Sequence, residues 1–307
     1  MSGVYRYIGY SKQGFHQKMN RCLREQEQEI LLLPLIAELR DEHPGVGVRQ
    51  LFLILGQRHM GRDRFEALCF ANGFKLGHRP AFKRTTDSRG VIRFPNLIEG
   101  KEFTSINQVW VSDITYYQII EAFLYITFIM DLYSRKIVGY SVSKRLLTEY
   151  TTLPALQMAL KVRHPVSGLI FHSDGGGQYY SKSFQKLILA NQIKSSMGEI
   201  VYDNAHAERI NGTIKNQYIK GYNPTDFTAL VTKTKRAVQN YNQVRPHSSL
   251  NQKPPAVFEK RMPAGSSSTG TDDFYSVRVT AVQQQKNHQY RMRPKQSKSV
   301  NKTVNVI

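Results

Sequence analysis

The feature that most limits the folds open to this chain begins at Asn107. There helical periodicity gives way to three strand-like runs in quick succession, QVWVSDITYYQI, FLYITFIMDL and KIVGYSV. β-Branched and aromatic residues dominate all three. With so little chain between them, they read as an antiparallel meander, because a parallel return needs a crossover of about a dozen residues or more. The pattern then alternates. TEYTTLPALQMALKV reads as a helix with Pro154 in its first turn or kinking it, and GLIFHSD as a short apolar strand ending at Asp174. SKSFQKLILANQ follows as a helix, IKSSM as a short strand and AHAERINGTIKNQYI as a helix.

Meander, helix, strand, helix, strand, helix is the order of a ribonuclease H-like α/β fold: a mixed five-stranded sheet flanked by helices. In that fold the first and fourth strands are neighbours, so Asp113 and Asp174 should stand side by side. Glu208 falls in the last helical pattern. Two carboxylates at strand positions and a third on a helix can converge to hold two hard divalent cations through oxygen ligands. Other candidates are weaker. Glu199 is the alternative third ligand. Asp131 reads as a residue that turns the hairpin, and His172 as a core or supporting histidine. Asn204 and His206 read as walls of the site. Gly175, Gly176 and Gly177 lack the lysine and frame of a phosphate-binding loop and read as a place where the backbone approaches DNA or metal closely.

Charge narrows the partners. Lys and Arg total 43 against 23 Asp and Glu, a formal net charge of +20, which attracts polyanions through counterion release. No apolar run approaches the roughly 20 residues that span a bilayer, and no signal-peptide pattern opens the chain. With Cys22 and Cys69 alone there is no disulfide framework and no zinc spacing. A reducing cytoplasm is the expected compartment, and a membrane is not an expected partner.

The first 80 residues read as a small all-helical region. Ser11 caps a short helix with Phe15, Met19 and Leu23 on one face. After a Glu/Gln run, LLLPLIAELRDEH places Leu31, Leu32, Leu35, Ile36 and Leu39 on one side of a second helix, with a start or kink at Pro34. VRQLFLILG and RDRFEALCFANGF then form two short helices joined by a turn. This fits a helix-turn-helix whose second helix enters the major groove led by Arg62 and Arg64. Residues 81–104, with Arg84 among several basic residues, read as a linker that tracks phosphates. Residues 105–263 form the candidate catalytic domain. Residues 264–307 read as a polar basic tail with little order, in which SVRVTAV forms a lone strand.

Residues 101 to about 260 resemble the catalytic core of a DDE transposase of the retroviral-integrase type, and more narrowly the second-reading-frame transposases of the insertion-sequence-three family. The matching phrases are VWVSDITYY, FIMDLYSRKIVGY, FHSDGGGQYYS, DNAHAERINGTIKNQ and YNQVRPHSSLNQKPPAVFE, in the family's order. The resemblance implies Asp113, Asp174 and Glu208 as the catalytic, metal-holding triad and Lys215 as a DNA contact. It implies two Mg²⁺ ions, with Mn²⁺ as a substitute, and cleavage and strand transfer of mobile-element ends into target DNA. Double-stranded DNA, a homodimer or larger assembly on it, an upstream-frame partner protein and a location at the bacterial nucleoid follow from the same resemblance. Between Asp174 and Glu208 lie 33 residues, a couple fewer than is usual in that family, and the shortfall falls in SSMGEIVYDNAHAE as a trimmed loop. Two other functions fit less of the chain: a DNA-binding protein on this scaffold without catalysis, and a ribonuclease H-type nuclease.

Overall fold

The computed structural model describes residues 5, 7, 9–56, 60–77, 94–120, 122–165, 167–198, 204–261 and 277–279. The front end is α1 (Lys12–Glu42), α2 (Val48–Leu55) and α3 (Arg62–Ala71). Ser11 caps α1, its side chain accepting from the Gly14 amide at 3.0 Å. The two helices expected on either side of the Glu/Gln run are one helix of 31 residues, which contains Pro34. Glu and Gln are good helix formers, and Glu25 and Glu29 are further held by Arg21 and Arg64. No helix starts at Pro34. The loss of one backbone bond there, about 3 kcal/mol, is offset by Ile36, Leu32, Leu33 and Leu39 packing into the core. Leu31 and Leu35, expected on that apolar face, are instead exposed.

The sheet follows the expected plan. β2 (Val109–Ile119), β3 (Ala122–Asp131) and β4 (Ile137–Ser143) are antiparallel neighbours; β5 (Ile170–Ser173) joins β2 in parallel and β6 (Lys194–Met197) joins β5 in parallel. The strand order is β4-β3-β2-β5-β6. The long connections carry α4 (Thr152–Arg163) and α5 (Lys182–Ala190), and Pro154 sits in the first turn of α4, where a missing amide costs little. Asp131 closes the β3–β4 hairpin. Its buried carboxylate accepts from the amides of Asn107, Tyr133 and Ser134 at 2.6, 3.1 and 2.9 Å.

Alternation along β2 sends its residues to two different cores. Trp110 packs with Ala155, Leu156 and Phe184 of α4 and α5. Val109 and Val111 face the other layer, built from α6 (Ala205–Ile214), α7 (Phe227–Gln243) and the front helices, with α8 (Pro255–Lys260) beyond. In that layer Ile36, Leu51 and Phe65 share one core with Val111, Ile214, Tyr218 and Tyr241. The basic linker lies mostly outside the described residues, as does most of the tail. The described part of the tail, β7 (Val277–Arg278), is not a lone strand: it pairs antiparallel with β1 (Glu102–Phe103).

The α6 helix runs on through a π turn, Lys215–Ile219, into one more α turn, Lys220–Tyr222. The end of α1 docks here. The Gly45 amide donates to the Gln217 carbonyl at 2.7 Å, and Glu42 pairs with Arg236 and Asn240 of α7. Buried His43 meets the Tyr218 hydroxyl at 3.3 Å. A β-carbon on Gly45 would fall 2.6 Å from the Gln217 Cα, so Gly45→Ala is expected to destabilise the protein by about 1–3 kcal/mol. Gly47→Ala, with nothing within 4 Å, should be near neutral; urea unfolding separates the two. Burial, opposed by the nearby Glu42 charge, holds the His43 pKa down to about 4. Its contribution to stability is thus full above the unfolded value near 6.5 and declines as pH falls from there toward 4. The fall in stability over that range should be shallower in His43→Gln, as read by thermal melts across pH.

Candidate active site

The parallel register pairs Ser112 with Ser173. Asp113 and Asp174 each stand one residue beyond that pair, on strands that lie about 4.8 Å apart. Each carboxylate is fixed by its own surroundings. Asp113 accepts from the Ile114 amide and from the Asn211 side chain, both at 2.8 Å. Asp174 accepts from the Gly176 amide at 3.1 Å. That bond needs a close backbone: a β-carbon at Gly176 would sit 3.0 Å from the same carboxylate oxygen. Beneath the pair, the buried Tyr179 hydroxyl hydrogen-bonds the Ser112 side chain at 2.9 Å.

Two amides clamp α6 against β2. Asn204, buried at the start of the helix, donates to the Ser112 carbonyl at 3.0 Å, and Asn211 donates to Asp113 seven residues later. Glu208 lies between them in the first turn of α6, exposed, on the same helical side as Asn211. Charge from neighbouring acids reaches both aspartates. Burial first, and then the Asp174 charge, pushes Asp113 up to about 7, with Glu208 adding to the rise. Asp174 is raised by burial and again by Glu208.

Among the described residues, no group of three or more His, Cys, Asp or Glu side chains is already gathered tightly enough to hold a metal ion. The donor set nevertheless suits a hard cation. It is all oxygen, it is crowded with negative charge, and the Asn211 and Asn204 side-chain oxygens are buried without a hydrogen-bond partner. Such orphaned acceptors are costly unless a donor or cation meets them.

Lys215 ends α6 two turns beyond Glu208, with its ammonium 4.4 Å from the centre of the Tyr116 ring; burial lowers its pKa. His172 is buried on β5, its ring 2.9 Å from the Ser196 hydroxyl, consistent with a core role. The His206 ring lies 3.0 Å from the Arg135 guanidinium. Arg62 pairs with Asp63 and Glu66, and Arg64 with Glu25 and Glu29 of α1. Arg84, Glu199 and the shortened stretch before Asn204 lie outside the described residues. Asn211 was missed by sequence reasoning. Its only signal is its place three residues after Glu208 on a helix, which puts the two on one face.

A sheet with carboxylates on its central strand and the parallel neighbour, crossed by a helix bearing a third, is the plan of an integrase-type core. The sequence model of a family described as "Integrase core domain" matches residues 104–201, and a second of the same description matches residues 192–255. The "Insertion element IS600 uncharacterized 31 kDa protein" of Shigella sonnei is 32% identical over 83% of this chain and 96% of its own length. The "Transposase for insertion sequence element IS629" of the same organism is 31% identical over 86% of this chain and 90% of its own length. Among solved structures, a simian T-cell lymphotropic virus intasome in complex with PP2A regulatory subunit B56 gamma aligns over 77% of this chain and 78% of that one. Its TM-score is 0.50 and its identity 17%, a likeness of fold. The chain belongs to the insertion-sequence-three (IS3) family of DDE transposases.

Without metal, Asp113 should titrate near pH 7 when followed by carboxyl NMR. Asp174→Asn removes a neighbouring charge and should lower that midpoint. Asn211→Ala removes a hydrogen bond to the ionised form and should raise it.

Proposed function

We propose that this transposase cuts and joins DNA at the Asp113, Asp174 and Glu208 carboxylates, acting on the terminal repeats of a mobile element and on target DNA. The observation that carries the reading is the juxtaposition, in a chain of this family, of Asp113 and Asp174 at the ends of paired parallel strands with the Glu208-bearing helix clamped to Asp113 through Asn211. These three side chains would hold two divalent cations, Mg²⁺ or in its place Mn²⁺. Metal ions bound there would lower the pKa of an attacking water or 3′-hydroxyl and stabilise the leaving oxygen.

The protein groups around them set the geometry. Asn211 and the Ile114 amide fix both oxygens of Asp113, and the Gly176 amide fixes one oxygen of Asp174. Lys215, held over Tyr116, is assigned to a DNA phosphate next to the reacting one. Water as nucleophile gives a nick and a DNA 3′-hydroxyl gives strand transfer, so one site serves both steps by exchanging nucleophiles. The front helices are assigned to duplex binding. The ion pairs of Arg62 and of Arg64 are exposed or only partly covered, and surface pairs of this kind, worth about 0–1 kcal/mol, can be exchanged for phosphates. Arg84 is assigned to the same duplex. Joining two ends requires at least a dimer on DNA, and an upstream-frame partner would act in that assembly.

The test incubates the full-length protein with Mg²⁺ and DNA bearing the element's terminal repeats. Glu208→Gln should slow strand transfer by several powers of ten while leaving DNA affinity nearly unchanged, because it removes a metal ligand and no phosphate contact. Wild-type rates in Glu208→Gln or Asp174→Asn would remove the site assignment. Nicking without any joined product would point to a nuclease, and binding without either to a scaffold lacking catalysis.

A further inference from the structure

The closing phrase YNQVRPHSSLNQ takes no part in the chemistry above. Its side chains nevertheless line the cavity behind α6, on the flank away from Asp113. The cavity is about 200 Å³ in volume, and Arg135, Arg209, Arg245, His247, Thr213 and Ser249 are among its walls. We propose that this cavity is a binding pocket for a single phosphate group, of the kind carried by a nucleic-acid backbone or by free phosphate.

The argument rests on the guanidinium groups. Among the described residues no carboxylate lies within ion-pair distance of Arg135, Arg209 or Arg245. Elsewhere such groups are matched: Arg163 meets Glu259 and Arg236 meets Glu42. Arg40, which also has no carboxylate, directs its guanidinium to four backbone carbonyls. Arg245 has no comparable set. It is 8% exposed, gives its Nε to Gln217 at 2.8 Å and one Nη to the Pro246 carbonyl at 3.4 Å, and lies against the Tyr241 ring. A buried guanidinium without an anion is expensive, and here two more converge on the same space. The hydroxyls of Thr213, Ser248 and Ser249 add donors at the rim. The three arginines make the potential positive enough to add to burial in pushing neighbouring His247 down to about 3. Charge-assisted bonds from several arginines and hydroxyls match the oxygens of a phosphate.

The pocket is also composite. Gln50 of α2 donates to the Pro246 carbonyl at 3.3 Å, while Arg135 follows β3, and Arg209 and Thr213 belong to α6. An occupant would therefore tie the front helices, the hairpin and the catalytic helix to one anion.

The test is thermal melting of the full chain in EDTA, with sodium phosphate replacing sodium chloride at constant ionic strength. Phosphate should raise the wild-type Tm. Its apparent affinity should fall about tenfold in Arg209→Gln and in Arg135→Gln, and stay at the wild-type value in Lys186→Gln, which removes one exposed positive charge elsewhere. Arg209 is exposed, so its variant should fold even if a change at buried Arg245 does not. Equal responses in all variants, or no preference of the wild type for phosphate over chloride, would overturn the proposal. Duplex binding across a salt series then assigns the source. A slope reduced by about 0.9 in Arg209→Gln marks a DNA phosphate, and an unchanged slope with a lost phosphate response marks a free one. No metal is present in the melting measurement, so its outcome is independent of the carboxylate assignment.

Discussion

Parallel pairing of β2 with β5 places two acids on adjacent strands, and most of the molecule serves to hold that unfavourable arrangement. Like charges at strand spacing repel, and here they do so beside a packed core. The register cannot slip to relieve this, because a shift of one residue would turn Val111 out of one core and Trp110 out of the other. The hydrophobic alternation of β2 therefore enforces the carboxylate pair. Asn211, Gly176 and the Asn204 clamp then set where each oxygen points.

How much of this was legible in the sequence depended on whether the deciding interaction was local. The meander, the short parallel strands and the order of helices could be read because β-branched runs and turn residues report their own conformation. The helical front end was read less well. Pro34 is a strong local breaker, yet the helix continues through it because Ile36 and its neighbours are buried by residues far along the chain. The same distant packing decides which leucines of α1 are covered. Asn211 and the arginine cavity were invisible for a similar reason. An asparagine three residues after a glutamate signals a shared helix face but not that this face lies on Asp113, and nothing about Arg135, far from Arg245, signals that folding brings the two together.

The shared core also alters how the front helices relate to the carboxylates. His43 and Gly45, just past the end of α1, rest on the segment directly after Lys215, and Glu42 pairs with α7 beside it. The front end thus meets the helix that carries Glu208 through a backbone hydrogen bond and a buried side-chain contact. That contact makes the position of the front helices relevant to the geometry of the site.

The π turn at Lys215–Ile219 has a further consequence. An α-helix advances about 100° per residue, so a wider turn rotates everything after it relative to everything before. One continuous helix presents Glu208 and Asn211 to the Asp113 side of the sheet and, within the π turn, Tyr218 and Ile219 to the core that Ile210 and Ile214 already share with the front helices. The widened turn also holds Gln217, whose carbonyl accepts from the Gly45 amide of the front end. Removing one residue there would rotate that carbonyl and the helix beyond it by about 100° relative to Glu208 and Asn211.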